Sequence, residues 1–211
     1  METNDDKPQG APDARARMAQ ARRKTEFVLS RAWGLLRDPK TEWEQIRLEE
    51  TSAAALMLGY VAPLAAVPAL MGLVGALTFG GGLIGAPAQL VVGAVVSFLV
   101  FVALIYFIGL LTNAIADNFE AKRDEIAALK LAAYAATPTF LLGLFAVAPA
   151  LWWAPLIGLA LSAYLLHRGL APLMRCPPER ALAYAATIVV AGLVALVLMG
   201  LLTSCLTSAR L

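Results

Sequence analysis

Few side chains in this sequence could do chemistry away from water. Lys130, His167 and the tyrosines Tyr60, Tyr134, Tyr164 and Tyr184 lie in or at the ends of long apolar runs. Ionisable groups at such depth are functional candidates by default. A lysine there can meet an anionic ligand or a lipid phosphate, or its stem can carry the ammonium back to the interface. Lys130 opens its run, which favours the interfacial reading. His167 closes another run and is the sole histidine, so a histidine-based metal site is not expected. A proton relay through His167 competes with simple anchoring at the interface, and its end position favours anchoring. The tyrosines and Thr137 and Thr187 can join neighbouring helices by hydrogen bonds of about 0.6 kcal/mol each.

Other chemistries lack their residues. Cys176 and Cys205 stand far apart, with no CxxC or metal-ligand spacing. Leu202-Thr203-Ser204-Cys205 has the look of a lipoprotein-processing box, but such boxes follow N-terminal signals, and this one reads as chance. No serine occupies a nucleophile elbow with a histidine partner, and no phosphate-binding glycine loop occurs. The apolar runs contain no carboxylate, which argues against an ion-coupled pump. Glu49-Glu50 reads as having no charged partner nearby. The expectation is therefore no catalytic, cofactor-binding or metal residues, no cofactor, and no enzyme activity.

The elements that must position these residues follow from composition. Of 211 residues, 60% are hydrophobic and 15% charged, against about 25% charged in soluble domains; the mean hydropathy is +0.71. A soluble domain of this length cannot hide so much apolar surface. Residues 1–50 hold 10 of the 17 Lys and Arg and 10 of the 15 Asp and Glu. The chain is thus a polar head on an apolar body, and the net charge of +2 conceals that division.

Five apolar stretches are expected to span a membrane, at about 53–78, 88–112, 127–147, 150–168 and 181–203. Roughly 20 apolar residues cross a hydrocarbon core of about 30 Å as a helix. The runs lack the alternation of barrel strands, so helices alone satisfy their backbone groups in lipid. The joins are a glycine-rich loop at 79–87, a charged loop at 113–126, a turn at Ala148-Pro149 and a proline-rich basic loop at 169–180. Pro63, Pro68, Pro138 and Pro155 punctuate the spans and read as packing kinks. Trp152 and Trp153 suit an aromatic belt.

Charge orients this body. With five spans the termini lie on opposite sides. The N-terminal side carries 16 basic residues and the other side Arg210 alone, with no Asp or Glu. That is a positive-inside signature placing the head in the cytoplasm and residues 206–211 outside. Cys176 and Cys205 are 29 residues apart, about 43 Å along a helix, so an internal disulfide is not expected. The charged start argues against a cleavable signal peptide.

The head divides into a tail, residues 1–13, read as disordered, and a basic segment, 14–50. Leu29, Trp33 and Leu36 recur on one helical face among Arg15, Arg17, Arg22, Arg23, Lys24, Arg31 and Arg37. Asp38-Pro39 ends that helix and begins another, with Trp43 and Ile46 on one side. A basic amphipathic helix with tryptophan fits an in-plane membrane helix. The alternative is a solvated helix packed on the protein's own loops. On the first reading Arg22, Arg23, Lys24, Trp33 and Trp43 are the candidate lipid contacts, and Lys130, Tyr134, Pro138, Tyr164, His167 and Tyr184 the candidate intramembrane residues.

Lys130-Leu-Ala-Ala-Tyr-Ala-Ala-Thr137 echoes Arg180-Ala-Leu-Ala-Tyr-Ala-Ala-Thr187. Shared constraint and duplication both remain open. Asp38-Pro39-Lys40-Thr41-Glu42-Trp43, LKLAAYAATP at 129–138, the Pro149 turn and AYLLHRGLAPLMRCPPERALAY at 163–184 together resemble the Yip family, the Ypt/Rab-GTPase-interacting membrane proteins, in its bacterial form. The resemblance covers residues 33–205. It departs at Asn118–Arg123, where family members often carry a glycine-bearing stretch. It implies five membrane helices and a cytosolic N-terminus. Eukaryotic members are implicated in Rab GTPase binding; a bacterium lacks that machinery, so this role is not carried over.

The expectation is an all-α polytopic protein of the bacterial inner membrane, with five transmembrane helices and an N-terminal cytoplasmic amphipathic segment. It would act in membrane organisation or as a scaffold or adaptor. Its partners would be the bilayer, anionic lipids in particular, and a membrane-protein partner or a second copy, with no nucleic acid. The alternative is a passive transporter, channel or lipid-moving protein. A continuous polar cavity between the spans would favour the alternative; a dry interior would not.

Overall fold

The computed structural model describes residues 14–80 and 87–208. The expected tail at 1–13, the centre of the glycine-rich loop, the side chains of Arg23, Lys24 and Cys205, and Arg210 lie outside the described residues. Among the described residues every regular element is helical, and five helical segments are long and apolar enough to cross a membrane. The fold is all-α, as composition required.

Two helices form the head, α1 (Ala14–Arg37) and α2 (Pro39–Leu48). The break between them is local chemistry. Asp38 accepts the Thr41 amide at 3.3 Å and the Thr41 hydroxyl at 2.6 Å, capping α2, and Pro39 sits in the first turn, where its missing N–H costs nothing.

The first span, α3 (Ala53–Phe79), starts under a Ser52 cap and contains one π-helical turn, Met57–Val61. There the Ala62 amide reaches back to the Met57 carbonyl. Such bulges bend a helix, and this one turns Tyr60 and Val61 into the core. The second span is α4 (Pro87–Ile115), extended by a 3-10 turn, Ala116–Phe119. The third is broken into α5 (Glu125–Ala135), α6 (Thr137–Leu142) and a 3-10 turn, Gly143–Val147. The break falls just before Pro138, which cannot donate to the preceding turn. The fourth is α7 (Ala154–Met174) and the fifth α8 (Pro178–Ser208).

Two of the loops are shorter than composition suggested, and the turn at Ala148-Pro149 is longer, since a 3-10 turn, Pro149–Leu151, precedes α7. The helix α7 continues six residues past the expected end at 168, because Gly169, Leu170, Leu173 and Met174 form a buried face that outweighs Pro172. The charged loop shrinks to about 120–124 for a similar reason: Thr112 and Ala116 are buried and keep the chain wound.

The third span is the centre of the bundle. In its apolar window 56% of the residues are buried, against 11–28% in the other four. Its alanines make this geometry accessible, since small residues let membrane helices approach closely. Glycines on the neighbours complete the fit. A Cβ at Gly109 of α4 would stand 3.1 Å from the Leu129 backbone, and one at Gly158 of α7 would stand 2.8 Å from that of Thr139.

Candidate functional site

The polar groups of the head and the third span converge where head meets bundle. On α1 the buried stripe is Val28, Ala32 and Leu35, and Arg31 falls within it, 8% exposed. A charge there must be paired. Arg31 donates to Glu42 of α2 at 2.7 Å and to Glu49 just beyond α2. Burial alone would lower the Arg31 guanidinium, but the Glu42 hydrogen bond and the charges of Glu49 and Glu42 reverse that and hold it above its ordinary value. Room for this pair comes from Gly34, where a Cβ would lie 2.1 Å from the Glu42 carboxylate.

Lys130 meets the same corner from below. Its ammonium donates to the Ile46 carbonyl at 2.9 Å and to the Glu49 carbonyl. Ile46 lies in the last turn of α2, where carbonyls lack helical partners and the dipole favours a cation. The expected snorkelling is therefore corrected: Lys130 is 5% exposed and turns inward to cap a head helix. Glu49 likewise has the charged partner it was expected to lack.

Tyr134 lies one turn deeper. The Arg31 guanidinium sits 5.9 Å from its ring centroid, and Tyr60 packs against it at 4.5 Å with the rings tilted by 57°. The Thr137 hydroxyl donates to the Tyr134 carbonyl at 2.7 Å. Its one proton being used, Tyr60 must donate to Thr137, at 2.7 Å. Charge at the head is thus joined through two rings to a hydroxyl pair inside the bundle.

Trp43 seals the corner. It was a candidate lipid contact, and the structure corrects this: it is fully buried. A Cβ at Gly169 would stand 2.8 Å from the Trp43 ring and 2.5 Å from Leu131. The glycine notch in α7 is what admits the indole.

The other named residues are dispersed. Arg22 is exposed and paired with Glu26 at 3.0 Å. Trp33 is 66% exposed, with Leu29 and Leu36 on the same outward face. So α1 has two apolar faces: one holds the bundle and one is open. Pro138 is buried at the start of α6, and Tyr164 is half-exposed. His167 is partly buried, with Nδ1 enclosed and without a hydrogen-bond partner among the described residues.

Tyr184 organises a second corner. It stacks on Phe119 at 4.6 Å and 8° and donates to the Thr112 carbonyl. Arg180 pairs with Glu120 at 3.3 Å and Arg123 with Asp117 at 2.9 Å. The two echoed segments differ in use. Lys130 and Thr137 are buried and bonded across helices, while Arg180 and Thr187 are exposed.

Sequence reasoning missed Arg31, Glu42 and Glu49 as a unit. The signal was there: positions 28, 31, 32 and 35 form a helical stripe, and a charge inside a buried stripe demands a partner.

Two cavities accompany this arrangement. One, about 410 Å³, opens at the head end and is lined by charged groups including Lys122, Glu50, Asp124 and Arg175. The other, about 370 Å³, lies among the spans and is almost wholly apolar; Thr139 and Ser162 are its polar side chains, and they bond each other at 2.8 Å. They open on opposite faces of the third span, Lys130 and Ala127 on one and Ala132, Ala135 and Thr139 on the other.

The family model described as the Yip1 domain matches residues 33–199. The chain is similar to Inner membrane protein YohC of Escherichia coli strain K12, 27% identical over 177 residues, covering 80% of this chain and 91% of that protein. The same protein from Escherichia coli O6:H1 matches with the same identity and coverage. No solved structure matches the chain.

Proposed function

This chain belongs to the Yip1 domain family and is a multi-pass inner membrane protein, and from that premise we propose that it is a non-enzymatic scaffold or adaptor whose head faces the cytoplasm. The observation that carries the reading is the docked head. Arg31, Glu42, Glu49 and Lys130 fix α1 and α2 to the third span, while Leu29, Trp33 and Leu36 face outward. A docked platform with an apolar, tryptophan-bearing outer face beside basic residues suits contact with a membrane surface or a membrane protein. Anionic lipids are its expected partners, each nearby Lys or Arg contributing about 1 kcal/mol. The 16 basic residues on the head side against Arg210 support the cytoplasmic head and external C-terminus.

Transport of a hydrophilic solute is less supported. The polar cleft, which the buried Lys130 helps to line, lies at the head end, and the cavity among the spans is apolar. The test is reconstitution of the whole protein in anionic and neutral vesicles. Flux across a solute panel should match empty vesicles, and photocrosslinkers at Leu29 and Trp33 should label lipid more in anionic bilayers. Solute flux above background, or equal labelling in both, would overturn the corresponding part. Cytoplasm-specific reporters fused to each terminus should be active at the N-terminus alone.

A further inference from the structure

The charged cleft at the head end is not explained by the docked head. Of its charged lining groups, Glu49 and Lys130 are engaged in the head contact, and Arg47 pairs with Glu44. Lys122, Arg175 and Glu50 are exposed and make no side-chain ion pair or hydrogen bond among the described residues. Asp124 uses one carboxylate oxygen on the Ala127 amide at 2.9 Å, which leaves the other.

The backbone holds these unpaired groups together. The Lys122 amide donates to the Met174 carbonyl at 2.8 Å, so the loop carrying Lys122 is pinned to the residue before Arg175. Both neighbouring turns use left-handed non-glycine residues, Glu120 at φ 57° and Arg175 at φ 51°. Such conformations are disfavoured for side-chain-bearing residues. Two cations thus line one cleft without a side-chain ion pair among the described residues, alongside two carboxylates: Glu50, which is likewise unpaired, and Asp124, which is half-used and also acts on the Lys130 charge. An anion alone would answer the first pair and repel the second. A ligand with both signs answers both.

The depth of the cleft indicates the source. Ile126 and Ala127 open the third span and Pro172 and Leu173 close the fourth, so the charged cleft lies at the interfacial ends of two spans, with these four apolar groups at its edge. We propose that it binds a phospholipid headgroup carrying a phosphate and a primary ammonium, of the ethanolamine type, with Lys122 and Arg175 on the phosphate and Glu50 and Asp124 on the ammonium. This deepens the lipid-contact reading above and rests on it only in taking bilayer lipid as the partner.

The experiment is native mass spectrometry of the whole protein in detergent, titrated with phosphatidylethanolamine, phosphatidylglycerol or phosphatidylcholine of one acyl composition, with soluble phosphoethanolamine as competitor. Phosphatidylethanolamine should bind at least tenfold more tightly than the other two: the glycerol headgroup lacks the ammonium, and the choline headgroup lacks its N–H donors. Glu50→Gln should abolish that preference. Lys122→Ala and Arg175→Gly should weaken binding about tenfold, and glycine accepts the left-handed backbone at 175. Lys40→Ala, outside the cleft, should change nothing. Equal binding of the three lipids, a preference for phosphatidylglycerol, or variants like the parent would overturn the proposal. Soluble phosphoethanolamine competing at the lipid's own concentration would overturn the lipid as source. The head-labelling experiment above reads α1 rather than this cleft, so the two readings fail separately.

Discussion

The Lys130 ammonium and the Ile46 carbonyl are hydrogen-bonded at 2.9 Å, joining positions 84 residues apart. This contact ties the third span to the last turn of a head helix. A hydrogen bond to a charged group contributes about 1.5–3 kcal/mol. Lys130→Met keeps the apolar stem and removes the cap. The undocked fraction of the head should rise at least about tenfold, read as faster proteolytic cleavage within residues 38–52 of the reconstituted protein. Unchanged cleavage would show that the cap does not hold the head.

Arg31 balances two carboxylates that its loss would strand. Breaking a buried ion pair costs about 3–5 kcal/mol, and the lower end applies because Glu49 is more than a third exposed. Arg31→Met should therefore destabilise the head by about 3 kcal/mol. Arg31→Met combined with Glu42→Gln and Glu49→Gln should cost less than Arg31→Met alone, since no carboxylate is then left unpaired. Denaturation of the three proteins in one detergent checks this, and a triple variant weaker than the single one would refute the pairing argument.

The spans were legible because lipid imposes one rule, a run of apolar residues wound as helix, and sequence displays it directly. The head was half legible. Leu29, Trp33 and Leu36 do form one face, and that face is open; the neighbouring stripe of Val28, Ala32 and Leu35 does the docking. An amphipathic pattern cannot say which of two apolar stripes meets protein. Trp43 and Lys130 were misread for a related reason. Their partners, Gly169 and the Ile46 and Glu49 carbonyls, are distant in sequence, and a backbone carbonyl leaves no mark on a sequence at all.

Gly169 is the notch for Trp43, and the fit leaves no space for a methyl group. Overpacking costs about 1–3 kcal/mol. Gly169→Ala should loosen the head by that amount, and Trp43→Leu, which vacates the ring position, should recover part of the loss in the double variant. Their coupling, measured by a thermal double-mutant cycle, should be non-zero. Simple additivity would mean that the two residues do not share the space.

Cys176 is 4% exposed, and burial, with Glu120 nearby, pushes its thiol above the ordinary range. The thiolate is the reactive species. In a Cys205→Ser background, maleimide labelling of the folded protein should be at least tenfold slower than of the denatured protein. Its rise with pH should also be displaced upward relative to a free thiol. Rapid labelling at neutral pH would contradict the packing of the turn that Cys176 occupies.

Asp38 should give the start of α2 a pH dependence. Hydrogen bonds from the Thr41 hydroxyl and amide hold its carboxyl below the usual range. A carboxyl depressed in the folded state contributes stability above its unfolded value, about 3.9, and loses it as pH falls through the lower folded value. Protection of the Thr41 amide, expressed against its intrinsic exchange rate at each pH, should thus be flat from neutrality to about pH 4 and fall below it. Asp38→Asn keeps a capping oxygen without a titrating proton, so it should remain protected and lose the acid decline. Asp38→Ala should be poorly protected throughout. An acid decline that persisted unchanged in Asp38→Asn would assign it to another carboxylate.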